Sequence, residues 1–93
     1  MNVRWRNQFK KDYKRMMKQG KNIDELDWVI VELSVPNPLP DKYCDHSLIG
    51  NYTGCRECHV KPDWLLIYDY ETIENNETQL LLIRTGSHTE LLD

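Results

Sequence analysis

Three histidines, an aspartate and an arginine stand where chemistry can use them. His46, His59 and His88 all fall from the middle of the chain onward, each beside a turn or a strand end. Histidine titrates near neutrality, so several converging on one surface suit general acid–base work. His59 and Asp63 flank one turn. Arg84 and His88 bracket another, Arg84-Thr85-Gly86-Ser87-His88, with Gly86 between them to let the backbone bend. Each turn adjoins an apolar run, Trp64 to Tyr68 and Leu80 to Ile83, that reads as a buried strand. Pro62 cannot donate to a sheet ladder, so it belongs in the turn before its strand. Glu57 and His59 share a face if their segment is extended, because strand side chains alternate. If 64–70 and 79–85 pair as a hairpin, the turns holding Asp63 and His88 lie at the same end of a sheet. An arginine, a carboxylate and histidines gathered there resemble a phosphate-handling site. Arginine stabilises the charge and the imidazoles move protons.

Metal is the competing chemistry. Cys55-Arg56-Glu57-Cys58 is a C-x-x-C with Cys44 and His46 nearby, so a small zinc-binding domain using Cys44, His46, Cys55 and Cys58 is an alternative. No second pair matches it. In a regular strand Cys55 and Cys58 face opposite sides, and chelation needs a bend that Gly54 leaves room for. A thioredoxin-like role lacks a helix pattern after the motif. There is no phosphate-binding glycine loop, no G-x-S-x-G elbow and no H-E-x-x-H.

The elements that must hold these residues follow from periodicity. Val3 to Trp5 reads as a short strand. From Asn7 to Gln19, Phe9, Tyr13, Met16 and Met17 fall on one helical face, with Lys10, Lys11, Lys14 and Lys18 on the other. Gly20 is a helix stop. A second helix starts at Asn22, whose spacing to Glu25 is that of a capping box, and buries Ile23, Leu26, Ile30 and Leu33. Proline-rich 35–40 ends it. Leu48 to Tyr52 then reads as a strand, turning at Thr53-Gly54 into Cys55 to Val60. Strands 64–70 and 79–85 follow, and His88 to Leu92 forms a helical turn. The expected fold is α+β: an antiparallel sheet of four to five strands with the N-terminal helix pair packed on one face.

Ninety-three residues make a single domain, 1–93, with a small core. The net charge of -3 is uneven. Residues 1–21 carry eight basic side chains and one acid, a balance of +7, which leaves -10 for the remainder. That basic face suits phosphate or an acidic partner. Three cysteines without a secretory signal argue for a reducing cytoplasm. No apolar run approaches a membrane span.

Asp45-His46-x-Leu48-x-Gly50, then Arg56 to Tyr68, then Arg84-Thr85-Gly86-Ser87-His88 resemble the YafQ branch of the RelE toxins. These are small endoribonucleases of bacterial type II toxin–antitoxin systems. The two blocks H-V-x-P-D-W-x-L-I-Y and R-T-G-[ST]-H are specific together, and the resemblance spans nearly the whole chain. It implies an mRNA interferase that enters the A site of the 70S ribosome and cuts messenger RNA by 2′-OH attack, without metal or cofactor. It also implies a cognate antitoxin of the DinJ or RelB kind. His46, His59, Asp63 and His88 match catalytic positions. Trp64 matches an indole beside the site, Arg84 a basic residue near the cleaved phosphate, and Glu57 a position often held by aspartate. Leu92 stands where phenylalanine is expected, which bears on codon preference. Lys10, Lys11, Lys14 and Lys18 would meet the ribosome and its RNA. The rival of another class is a non-enzymatic module that keeps the fold as an antitoxin-bound co-repressor.

Overall fold

The apolar runs become the middle of one sheet. The structure, a computed structural model, describes residues 1–92, with the side chain of Leu92 excepted. In chain order the elements are β1 (Asn2–Trp5), α1 (Asn7–Lys18), α2 (Ile23–Ser34), β2 (His46–Ser47), β3 (Arg56–Lys61), β4 (Trp64–Thr72), β5 (Thr78–Gly86) and α3 (His88–Leu92). The sheet order is β1-β5-β4-β3-β2. Leu65, Leu66, Ile67 and Tyr68 in β4 are all buried, because both faces of the sheet are covered. One face carries Cys58, Val60, Trp64, Leu66, Tyr68, Leu80 and Leu82 against Phe9, Met16, Leu26, Val29, Ile30 and Leu33 of the helices. The other carries a smaller cluster of Leu65, Ile67, Leu81, Ile83 and Leu91.

The α+β arrangement is as expected, and one pairing differs. β1 runs parallel to β5, with Val3 opposite Leu80, so the sheet is mixed. The connection from β1 crosses the whole chain, and local meander reasoning does not see it. Three local expectations also change. Met17 is 55% exposed, because Asp12 rather than Met17 completes the buried stripe with Phe9 and Met16. Asn22 does not cap α2 with its side chain; its carbonyl accepts from the Glu25 N–H at 3.1 Å instead. Leu48 to Tyr52 is not a strand. β2 stops at Ser47, Gly50 takes a φ of 78°, and residues 50–52 form a single 3-10 turn. Both ring-bearing turns sit at one end of the hairpin, as the pairing of Leu65 with Gly86 requires.

Candidate active site

One adjustment in strand register builds the site. β4 pairs Ile67 with Arg84 but Tyr68 with Leu82, so Ile83 is an extra residue in β5. A bulge of this kind re-aims the side chains beyond it. Without it Arg84 would follow Leu80 and Leu82 onto the helix side. With it Arg84 shares the face of Ile67, and through the register Glu57–Ile67 and His46–Glu57 it joins a cross-strand row with both residues. One step along, His59 pairs with Leu65, and Leu65 with Gly86. The register therefore puts His46, Glu57, His59 and Arg84 on the sheet face opposite the one that packs against α1 and α2, with Arg84 near enough to the edge to reach round to α1.

The imidazoles form a file. His46 and His59 have ring centroids 6.1 Å apart, and His59 and His88 5.6 Å apart, each near edge-to-face. Glu57 lies under the first pair. Its Oε1 is 2.9 Å from His59 Nε2 and 3.4 Å from His46 Nε2. His88 Nδ1 lies 2.7 Å from Asp63 Oδ1, which also accepts the His88 backbone N–H at 3.1 Å. The bond to the His88 ring holds the Asp63 carboxyl below the usual carboxylate range. An ionised carboxylate can only accept, so His88 carries its proton on Nδ1 and leaves Nε2 free as a base. All four expected catalytic side chains converge.

His88 stands at the start of α3, and that helix is held by a reciprocal cap. The Ser87 N–H donates to Glu90 Oε1 at 2.8 Å, and the Glu90 N–H to Ser87 Oγ at 3.1 Å. Arg15 Nε meets Glu90 Oε2 at 2.9 Å and so ties α3 to α1. A Cβ on Gly86 would come within 2.8 Å of Arg15 Nη2, so a side chain there would displace this tie. On the other flank Asp45 fixes the start of β2. It accepts from Arg56 Nε at 3.1 Å and from the Tyr68 hydroxyl at 2.6 Å.

Asp12 escaped the sequence reading. It is fully buried at the sheet edge just past the end of β1, where β5 has lost its neighbour. It accepts the Thr85 N–H at 3.1 Å, in place of a ladder partner, and Arg84 Nε at 2.7 Å and Nη2 at 3.3 Å. Arg15 Nη1 adds a third cation contact at 2.9 Å. Burial pushes the Asp12 carboxyl up, but the Arg84 bond, the Thr85 N–H and the Arg84 charge more than reverse it, and the net shift is downward. Arg84 is thus pre-oriented by a carboxylate instead of waiting free. The signal was in view: Asp12 is the lone acid of a basic segment and falls between Phe9 and Met16 on the apolar stripe.

Trp64 lies behind the site rather than beside it. It is buried on the helix side, and its Nε1 donates to Thr85 Oγ1 at 2.9 Å, while that hydroxyl donates to the Leu65 carbonyl at 2.7 Å. The four-residue zinc alternative fails. Cys58 is packed on the helix side, Cys55 on the other face, and Cys44 is exposed. Among the described residues the one cluster with metal-ligand geometry is His46, Glu57 and His59. Lys10, Lys11, Lys14 and Lys18 are all exposed on α1. The side chain of Leu92 lies outside the described residues. A groove of about 680 Å³, lined by His46, Ser47, Leu48, Asn51 and Tyr52 among others, borders the file.

The family described as the bacterial toxin of type II toxin-antitoxin system, YafQ, matches residues 1–93. The mRNA interferase toxin YafQ of Escherichia coli K12 is 36% identical over 91 residues, which is 96% of this chain and 92% of that protein. A metal-bound toxin from Helicobacter pylori superposes with a TM-score of 0.88 at 40% identity, covering 99% of both chains. The E. coli DinJ-YafQ complex gives 0.79 at 34% identity, covering 99% of this chain and 98% of that one.

Proposed function

The chain belongs to the YafQ family of bacterial type II toxins, and from that premise we infer that it is an mRNA interferase acting on messages held in the ribosomal A site. The observation that carries this reading is the His88–Asp63 pair facing His59 and Glu57 across one sheet end. A pair of proton-transfer groups either side of a scissile phosphate is what in-line attack by a ribose 2′-OH needs. One group removes the 2′-OH proton, the nucleophile attacks its own phosphorus, and the other group protonates the leaving 5′-oxygen. His88 is one member of the pair. Asp63 is committed to orienting it, so His59, set by Glu57, is the other, with His46 alongside. Arg84, held charged by Asp12, meets the developing negative charge. The nucleophile comes with the substrate, so the reaction requires no metal ion.

The ribosome supplies what a small site lacks. It fixes the message in attack geometry, a contribution that reaches several kcal/mol. The exposed lysines of α1 contact ribosomal RNA. The whole chain, 1–93, acts as one toxin domain in the cytoplasm. A cognate antitoxin of the DinJ kind binds it, in keeping with the DinJ-YafQ complex. The metal-bound state of the Helicobacter pylori toxin supports a capacity to hold an ion here as well. None of the helices among the described residues is long and apolar enough to cross a membrane.

Single-turnover cleavage on programmed ribosomes, with end-group analysis, tests the reading. The upstream fragment should end in a 2′,3′-cyclic phosphate and the downstream one in a free 5′-hydroxyl. A 5′-phosphate would mean that water is the nucleophile and would overturn the mechanism. Equal rates on naked RNA and on ribosome-bound message would overturn ribosome dependence.

A further inference from the structure

Arg84 spends most of its hydrogen bonds away from the groove. Its Nε and Nη2 both donate to Asp12, and its side chain is only 20% exposed. A phosphate in the groove beside the histidine file therefore meets little of the guanidinium directly. One side chain spans the gap. Tyr52 lines the groove together with His46 and Leu91. Its ring packs on the same sheet face as the file, against the cluster of Leu65, Ile67, Leu81, Ile83 and Leu91. Its hydroxyl reaches Arg84. The Arg84 guanidinium is held charged above all by its bond to Asp12, with a smaller share from a bond to the Tyr52 oxygen.

The loop that carries Tyr52 fixes where the ring goes. After β2 the chain turns at Gly50, whose φ of 78° suits glycine, and residues 50–52 form a 3-10 turn. The Tyr52 carbonyl accepts the Cys55 N–H at 2.9 Å, and the Cys55 carbonyl accepts the Leu48 N–H at 2.9 Å, so the loop closes on itself. His46, Glu57, Ile67 and Arg84 form one cross-strand row. Tyr52 leaves from the β2 end of that row, and its hydroxyl arrives at the β5 end. A donor held in this way needs no reorganisation when charge develops beside it.

A phenol oxygen that accepts from a guanidinium still has its own O–H to donate. The bond it accepts polarises it and makes it the stronger donor. We propose that Tyr52 is a further catalytic residue, whose hydroxyl donates to a non-bridging oxygen of the scissile phosphate and carries the charge of Arg84 to it. This deepens the function proposed above and rests on it. The phenol keeps its proton throughout, and no bond within it breaks. Attack by the 2′-OH gathers negative charge on the non-bridging oxygens. The hydrogen bond strengthens as that charge grows, which lowers the barrier instead of merely holding the message.

The test is Tyr52→Phe in the full chain, which keeps the ring in its cluster and removes only the hydroxyl. Circular dichroism and the melting temperature should match the parent. Single-turnover cleavage on saturating programmed ribosomes should fall by roughly 10²–10³-fold, the usual cost of one positioned donor, with ribosome affinity unchanged. Messages carrying a single Rp or Sp phosphorothioate at the cleaved linkage identify the atom. Sulfur accepts hydrogen bonds poorly, so sulfur at one of the two positions should slow the parent more than at the other. Tyr52→Phe should lose that difference. An unchanged rate in Tyr52→Phe would overturn the proposal, as would a loss that a higher ribosome concentration repairs. A slower variant that keeps the parent's sulfur effects would also overturn it, since the hydroxyl would then only brace Arg84 or the loop. A parent that cuts no message removes the proposed function and this inference together. A parent that cuts without any contribution from the Tyr52 hydroxyl removes the inference alone.

Discussion

His88 is useful because of what holds it. Asp63 fixes its tautomer, and the Ser87–Glu90 cap fixes its backbone. His88→Ala should slow single-turnover cleavage by roughly 10²–10⁴, the contribution of a positioned acid or base. Both partners are exposed, so the melting temperature should hardly move. The Asp63 carboxyl titrates below the ordinary carboxylate range. Its pairing with His88 is therefore in place above that range and is lost as pH falls through the lowered value. An activity limb seen nearer neutrality must belong to another group, and Asp63→Asn should leave that limb where it is while lowering the rate throughout. Trp64 acts from the opposite side of the sheet. Trp64→Phe keeps most of the ring packing but strands the bond to Thr85, and should cost about 1–2 kcal/mol in urea unfolding. These residues were legible in the sequence because turns at one end of a hairpin bring together what flanks them. The role of Trp64 was not, since resemblance locates an indole near a site without saying which face it takes.

At the level of elements, the cluster on Asp12 joins α1, β5 and α3. Asp12→Asn keeps the shape but removes the charge that answers Arg84 and Arg15. Leaving those cations poorly paired should cost about 3–5 kcal/mol, measured by denaturant unfolding. Because the Asp12 carboxyl is held below its usual value, this stabilisation is present above the ordinary aspartate range and disappears as pH drops through the lowered one. Acid unfolding of the parent should therefore begin only below about pH 4, while the Asp12→Asn variant should lose that acid sensitivity. Deleting Ile83 tests the bulge. It would turn Arg84 toward the helices and should abolish cleavage even where a folded fraction remains. Strand and helix positions could be read from periods of two and 3.6. The bulge, the parallel β1 and the Asp12 cluster could not, because each depends on which segment lies beside β5, and no local pattern records that.

For the whole molecule, charge is divided between a basic first segment and an acidic remainder. Reversing Lys10, Lys11 and Lys14 should weaken ribosome binding and flatten its dependence on salt, by about 0.7–0.9 in the log–log slope for each phosphate no longer neutralised. Stability should change little, since all three are exposed. The topology has a further consequence, for time rather than for binding. The β3–β4 hairpin, with His59 and Asp63, closes over a two-residue turn. Arg84 reaches its setting only when Asp12 arrives from 72 residues away, and β1 docks on β5 over a similar span. Contacts of such span form late, because a long loop must close before it is rewarded. On refolding from urea, amide protection of the hairpin should precede the return of cleavage. A nascent or damaged molecule is then disarmed by default, and becomes dangerous to its cell only when its two ends have met.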